Sequence, residues 1–206
     1  MKWFHYHFPR LYELTLKFLH GENLRKRYEY IVKNIEENSN VLDVGCGTGF
    51  LGKLIFKKCN YIGIDLNEKF LNFASARGLK VFKCNVFNFK KHSKNIDTIV
   101  ACDILHHIYP KHKILLEEIG KNAKKVIVCE PYACEEKDKT HFSEKFIVVL
   151  DAVLDADGIN PFIFKFDKRW KYSKNELKNF FKKSIKKRKK LTLKEIGKDI
   201  IAVYSI

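Results

Sequence analysis

The sequence predicts an α/β fold built on a mostly parallel sheet, and three observations carry that prediction. Short apolar, β-prone runs bounded by turn residues recur at 41–44, 61–65, 79–84, 96–103 and 126–131. Between them lie segments whose apolar residues repeat at helical spacing. Two final β-prone runs, 191–196 and 200–206, are joined by Gly197-Lys198-Asp199, which reads as a closing antiparallel hairpin. At 206 residues the natural reading is one domain, long enough to bury a sizeable core.

The elements follow in order. Residues 1–38 form an N-terminal helical cap. Pro9 suits a first helical turn, and Leu11, Leu14, Phe18 and Leu19 recur behind it at helical spacing. Tyr28, Ile31, Val32 and Ile35 repeat the pattern in a second helix, and Asn38-Ser39-Asn40 breaks it. The aromatic start (Trp3, Phe4, Tyr6, Phe8, Tyr12) either caps a ligand pocket or packs the leading helix.

Val41, Leu42 and Val44 then open a buried strand that runs straight into Gly45, Gly47 and Gly49. Leu51, Leu54 and Ile55 mark a helix behind the glycines, giving strand, glycine-rich turn, helix. Such a turn reaches positive φ, lets a ligand approach the backbone, and presents the N–H groups of a helix start. Asp65 ends the second strand 20 residues after Gly45, where nucleotide-binding βαβ units carry an acid for ribose hydroxyls. A carboxylate accepts only, which matches the two donors of a diol. The ligand expected is a nucleoside-containing cofactor.

Gly47, Gly49 and Gly52 spell G-x-G-x-x-G, but the first glycine comes two residues late for a dinucleotide turn. Asp43 also stands inside the strand where that turn expects an apolar residue. An acid there repels a pyrophosphate and suits an ammonium or sulfonium. The run D-V-G-C-G-T-G at 43–49 closely resembles the first motif of class I S-adenosylmethionine (SAM) dependent methyltransferases. The resemblance implies a Rossmann-like, seven-stranded, mostly parallel sheet in the order 3-2-1-4-5-7-6, the last strand antiparallel, with helices on both faces. It also implies SAM as cofactor across the carboxyl ends of the first four strands. Gly45, Cys46, Gly47 and Gly49 would admit the methionine part and sugar, and Asp43 would help place the amino group. Asp65 would take the ribose diol, Leu66 and Val86 would sandwich the adenine, and Asn85 would meet its edge. That family carries an acid at the position of Asn85; the asparagine Oδ1 still accepts a hydrogen bond, without charge.

The fourth strand exits through Cys102-Asp103-Ile104-Leu105-His106-His107, similar to the family's strand end and the L-H-H turn often found after it. Cys102, Asp103 and both histidines should face the cleft. A histidine there serves as a base if the acceptor must lose a proton; packing on the sheet is the alternative, and many methyl transfers need no base. No catalytic residue is assigned. Pro110 and Lys111 open the next helix, and Glu130 stands at the end of the fifth strand with no specific signal. Residues 133–172 break the alternation and read as an insert shaping the acceptor pocket, with an apolar helix expected at 142–156. Ser173 and Glu176 form a capping box for a further helix.

Composition narrows the function classes. No apolar run reaches transmembrane length and no signal peptide is apparent, so a cytoplasmic location is expected. The six cysteines lack C-x-x-C spacing and read as buried thiols, with no metal site. The net charge of +16 is concentrated at 165–198, where fifteen Lys or Arg face three acids. That stretch reads as a site for RNA or an anionic membrane, or, slightly favoured, as a solvated face of a lysine-rich chain. The expected function is direct methyl transfer from SAM, with a small-molecule acceptor preferred. An RNA methyltransferase or RNA-binding protein is the alternative, and an NAD(P)-dependent oxidoreductase the weaker one. The oligomeric state is not readable from the chain.

Overall fold

The structure, a computed structural model, describes residues 8–133, 170–185 and 190–205. The expectations for residues 1–7, for the apolar helix at 142–156 and for the basic runs at 165–169 and 186–189 lie outside the described residues.

Two helices lead, α1 (Pro9–His20) and α2 (Glu22–Lys33). The sheet then alternates with helices: β1 (Asn40–Val44), α3 (Phe50–Ile55), β2 (Asn60–Asp65), α4 (Glu68–Ser75), β3 (Val81–Lys83), β4 (Thr98–Cys102), α5 (His112–Ile119), β5 (Lys125–Pro131), α6 (Lys174–Ser184), β6 (Lys190–Ile196) and β7 (Asp199–Ser205). A 3-10 segment, Val86–His92, which the sequence reading did not anticipate, follows β3. The strand order is β3-β2-β1-β4-β5-β7-β6. Strands β1 to β5 are parallel, and β7 runs antiparallel to both β5 and β6. The expected fold is thereby borne out. Strands β3 and β4 are shorter than read, and α5 starts at His112 with Lys111 as its cap.

β1 is apolar on both faces because the sheet is covered on both sides. Leu42 and Val44 enter one core with Ile99, Leu115, Val126 and Phe181; Val41 enters the other with Leu24, Ile31, Ile55 and Val100. Successive side chains alternate, so Asp43 points into the α2 side with Val41. The first four strands all end at one edge, which gathers the glycine turn, Asp65, Asn85 and Cys102.

Candidate functional site at the carboxyl edge of the sheet

Asp43 is 4% exposed in the central strand, a costly place for a carboxylate without a partner. Tyr61 of β2 supplies one, its hydroxyl donating to Asp43 Oδ2 at 2.9 Å. The register explains how it reaches. Asp43 lies opposite Gly63, and a Cβ on Gly63 would sit 2.7 Å from the Tyr61 hydroxyl oxygen and 2.8 Å from Cys46 Sγ. Glycine therefore clears the space for both. Burial pushes the Asp43 carboxyl up to about 7, with the Tyr61 hydrogen bond opposing and Asp65 adding to the rise.

Asp65 ties the two turns together. Its Oδ2 accepts from Gly47 N–H and its Oδ1 from Asn67 N–H, both at 2.8 Å. Each oxygen keeps a second lone pair. Burial pushes its pKa up, and the backbone donors only partly offset that. Gly47 adopts φ +53°, which favours glycine, and a Cβ there would meet nothing within 4 Å. The positive φ, rather than packing, thus fixes glycine here, and its Cβ side is open space.

From the cap, Glu13 of α1 accepts from Thr48 in the glycine turn and pairs with Arg77. Burial raises Glu13, and Arg77 with Thr48 more than reverses it. Tyr12 packs on Phe70 of α4 in a tilted arrangement with ring centroids 4.8 Å apart. Of the aromatic start, then, Tyr12 packs the leading helix, while Phe8 is exposed.

At the β3 end, Asn85 Oδ1 accepts from Phe87 N–H at 3.0 Å, so one of its lone pairs caps the 3-10 segment. Val86 is 6% exposed and packs in the core, whereas Leu66 is 38% exposed at the β2 end. Of this intended pair, only Leu66 offers a broad face.

The β4 end departs most from expectation. Asp103 has φ 54°, an uncommon conformation for a residue other than glycine. Its carboxylate is bound by Arg27 of α2, which also reaches Asp199 at the start of β7 at 3.2 Å. Arg27 is completely buried. Burial pushes Asp103 up, but Arg27, with help from His106 and His20, brings it below the usual carboxylate range. Asp199 is left raised to about 6, because burial outweighs Arg27 there. Asp103 thus anchors α2 through Arg27, with its side chain 27% exposed.

Glu130, which carries no specific signal in the sequence, has a defined set of partners here. It is fully buried at the end of β5. Its carboxylate accepts from the backbone N–H groups of Ile104 at 2.8 Å, Leu105 at 2.7 Å and His106 at 3.4 Å, and its Oε2 is 2.7 Å from His106 Nδ1. Beside it runs an aromatic wall. His106 and His107 have centroids 4.1 Å apart, Trp170 lies 6.3 Å from His106 and 6.4 Å from Tyr109, and Tyr172 lies 4.8 Å from Trp170.

This edge fits a cationic adenosyl ligand: buried Asp43, half-buried Asp65, a backbone open at Gly47 and an apolar face at Leu66. A family profile described as a methyltransferase domain matches residues 35–187. The chain belongs to the methyltransferase family. The class I, SAM-dependent reading holds, and the enzyme is a SAM-dependent methyltransferase. It is 25% identical over 192 residues to ribosomal RNA small subunit methyltransferase A of Mesomycoplasma hyopneumoniae (strain 232), covering 78% of this chain and 72% of that one. Among solved structures, the methyltransferase domain of bacterial CtHen1 superposes with a TM-score of 0.64 at 15% identity, covering 90% of this chain and 98% of that one. Magnesium protoporphyrin IX methyltransferase from Synechocystis PCC 6803, bound to SAH, gives 0.57 at 11% identity, covering 92% and 84%. These two show the shared fold. Among the described residues no helix is long and apolar enough to cross a membrane, no cluster of ligands suits a metal ion, and the five described cysteines are unbridged.

Proposed function

We propose that this methyltransferase acts on a compact aromatic small molecule, held against the wall of His106, His107, Tyr109 and Trp170. The observation that supports it is the wall itself. It is built of half-buried rings, which suit a planar ring through stacking and edge contacts. Among the described residues, the Arg27 guanidinium behind the wall is occupied by Asp103 and Asp199.

In this reading Asp65 holds the ribose hydroxyls with its remaining lone pairs. The backbone of Gly45, Cys46, Gly47 and Gly49 lines the path of the methionine part, and Asp43 stabilises its positive end from behind the turn. Leu66 covers the adenine face, with Asn85 and the Val86 N–H at its edge, and Cys102 forms part of the floor. When bound, SAM supplies an already activated methyl group. The protein then has to align a nucleophile and exclude water, which needs no fixed nucleophile of its own. Methyl transfer from labelled SAM is the test: the label is expected in ring acceptors from a panel of phenols, indoles and N-heteroaromatics, and label confined to RNA contradicts the proposal.

Asp43 gives a pH prediction. Its folded pKa of about 7 means that it binds a proton below that pH in the free protein. A nearby cation favours the carboxylate, so binding releases the proton. SAM affinity is expected to rise with pH, at most about tenfold per unit, and to level off just above pH 7. Tyr61→Phe removes the donor and moves that plateau upward. Calorimetry in buffers of different ionisation heat measures the released proton; affinity that stays flat from about pH 5.5 to 8 contradicts the role.

RNA is the second reading, because of a basic edge. Lys182 and Lys183 of α6 and Lys190 and Lys194 of β6 are exposed, while Lys174 and Lys178 are tied to Glu195. The ribosomal RNA methyltransferase relative also favours this reading. A small acceptor predicts RNA binding that is weak and lost by about 300 mM salt. Retention at that salt, weakened by replacing the four exposed lysines with glutamine, would favour RNA.

A further inference from the structure

We propose that Glu130 is the positioning residue of a His106 base, and that the acceptor is therefore a group that loses a proton as it is methylated, an aromatic O–H or ring N–H. The inference rests on the acceptor lying against the aromatic wall.

Glu130 gathers four donors at one buried carboxylate: three successive backbone N–H groups from the turn after β4 and the ring of His106. Three backbone N–H donors favour the ionised carboxylate, so we assign the proton between Oε2 and Nδ1 to the imidazole. Nε2 then carries the ring lone pair. Fixing the turn and the ring with the same carboxylate locks the imidazole relative to the strand ends where the cofactor residues lie. Among the described residues, the charged and titratable groups facing His106 include Glu130 on β5, His107 at 4.1 Å between ring centroids, and Asp103, which pairs with Arg27.

The step balances. The acceptor's oxygen or nitrogen forms the new bond to the methyl carbon, and the carbon–sulfur electron pair stays on sulfur. The acceptor's proton passes to His106 Nε2, giving an imidazolium that later returns it to water. An acceptor needing no proton loss, such as a thioether or tertiary amine, leaves this arrangement without a task.

The test uses the full chain labelled with 15N-histidine, ring nitrogens observed by NMR, and His106 assigned from a His106→Gln variant. The expected result at about pH 8 is a neutral His106 with Nδ1–H and unprotonated Nε2. Its titration midpoint is expected to fall by roughly 0.5 unit or more with SAM bound relative to SAH, because only SAM places a positive sulfonium nearby. His112, which hydrogen-bonds Tyr172 and packs against Phe180, serves as the internal control and stays unmoved. Glu130→Gln presents an amide donor to Nδ1 and is expected to invert the tautomer while SAM affinity changes less than about threefold. A ring that is cationic at pH 9, an Nε2–H tautomer in the wild type, or equal midpoints with SAM and SAH overturns the inference. Failure of both SAM and SAH to bind instead sinks the cofactor site on which it stands.

Discussion

Asp65→Ala is expected to weaken SAM binding by about 100-fold or more in titration calorimetry. Two hydrogen bonds from ribose hydroxyls to a carboxylate contribute about 1.5–3 kcal/mol each, and each factor of ten requires about 1.4 kcal/mol. The same carboxylate fixes Gly47 N–H and Asn67 N–H, so its loss also loosens the turn that the ligand must meet. Asp65→Asn is expected to do nearly as badly, since its amide turns a donor toward one of those N–H groups. The fold should tolerate either change. Burial raises the Asp65 pKa despite its backbone donors, so the ionised group adds no net stability to the free protein near neutral pH. The raised value means that stability falls as pH climbs through the window from the unfolded pKa to the folded one. A variant that stays folded at the assay temperature yet binds at least 100-fold more weakly is the expected pair of results; tight binding by Asp65→Ala contradicts the ribose role.

Arg27→Ala is expected to lower stability by about 3–5 kcal/mol, because it leaves buried Asp199 and half-buried Asp103 side by side without the guanidinium. For a domain of this size that is a fall in Tm of roughly 6–20 °C. The sign of the pH effect follows from the acids. Without Arg27 both carboxyls rise, and Asp199 already stands at about 6 with Arg27 present. Groups with raised folded pKa stabilise at low pH and lose that contribution as pH increases. The deficit in thermal melts is therefore expected to be largest near pH 8 and to shrink toward pH 5. Adding Asp103→Asn and Asp199→Asn to Arg27→Met should recover much of the loss. A pH-independent deficit would mean that lost packing, not stranded charge, is responsible.

The sheet was legible because its signal is local and periodic. A buried strand reads as an apolar run wherever it falls, and the glycines declare their turn without help from the rest of the chain. Strand order came only from the resemblance carried by residues 43–49, since pairing is a property of distant segments. The site was legible at Asp43 and Asp65 for the same reason: an acid inside or ending an apolar strand is conspicuous. Tyr61 looked like an ordinary strand residue, because its role depends on Gly63 lying opposite Asp43. Glu130 was noticed, but its four donors come from 24 to 26 residues upstream. Arg27 had a signal that went unused. It falls three residues after Leu24 and four before Ile31, on the buried face of α2, where a cation requires buried acids. Asp103 was placed at the correct strand end, but its left-handed backbone aims it at that cation.

A crystal structure of the full chain grown with SAH tests the central claim most directly. The account predicts the ribose hydroxyls within hydrogen-bond distance of the Asp65 carboxylate and the amino-acid portion along the backbone of Gly45 to Gly49. Well-ordered SAH elsewhere on the molecule, with that backbone closed over and Asp65 untouched, would contradict it.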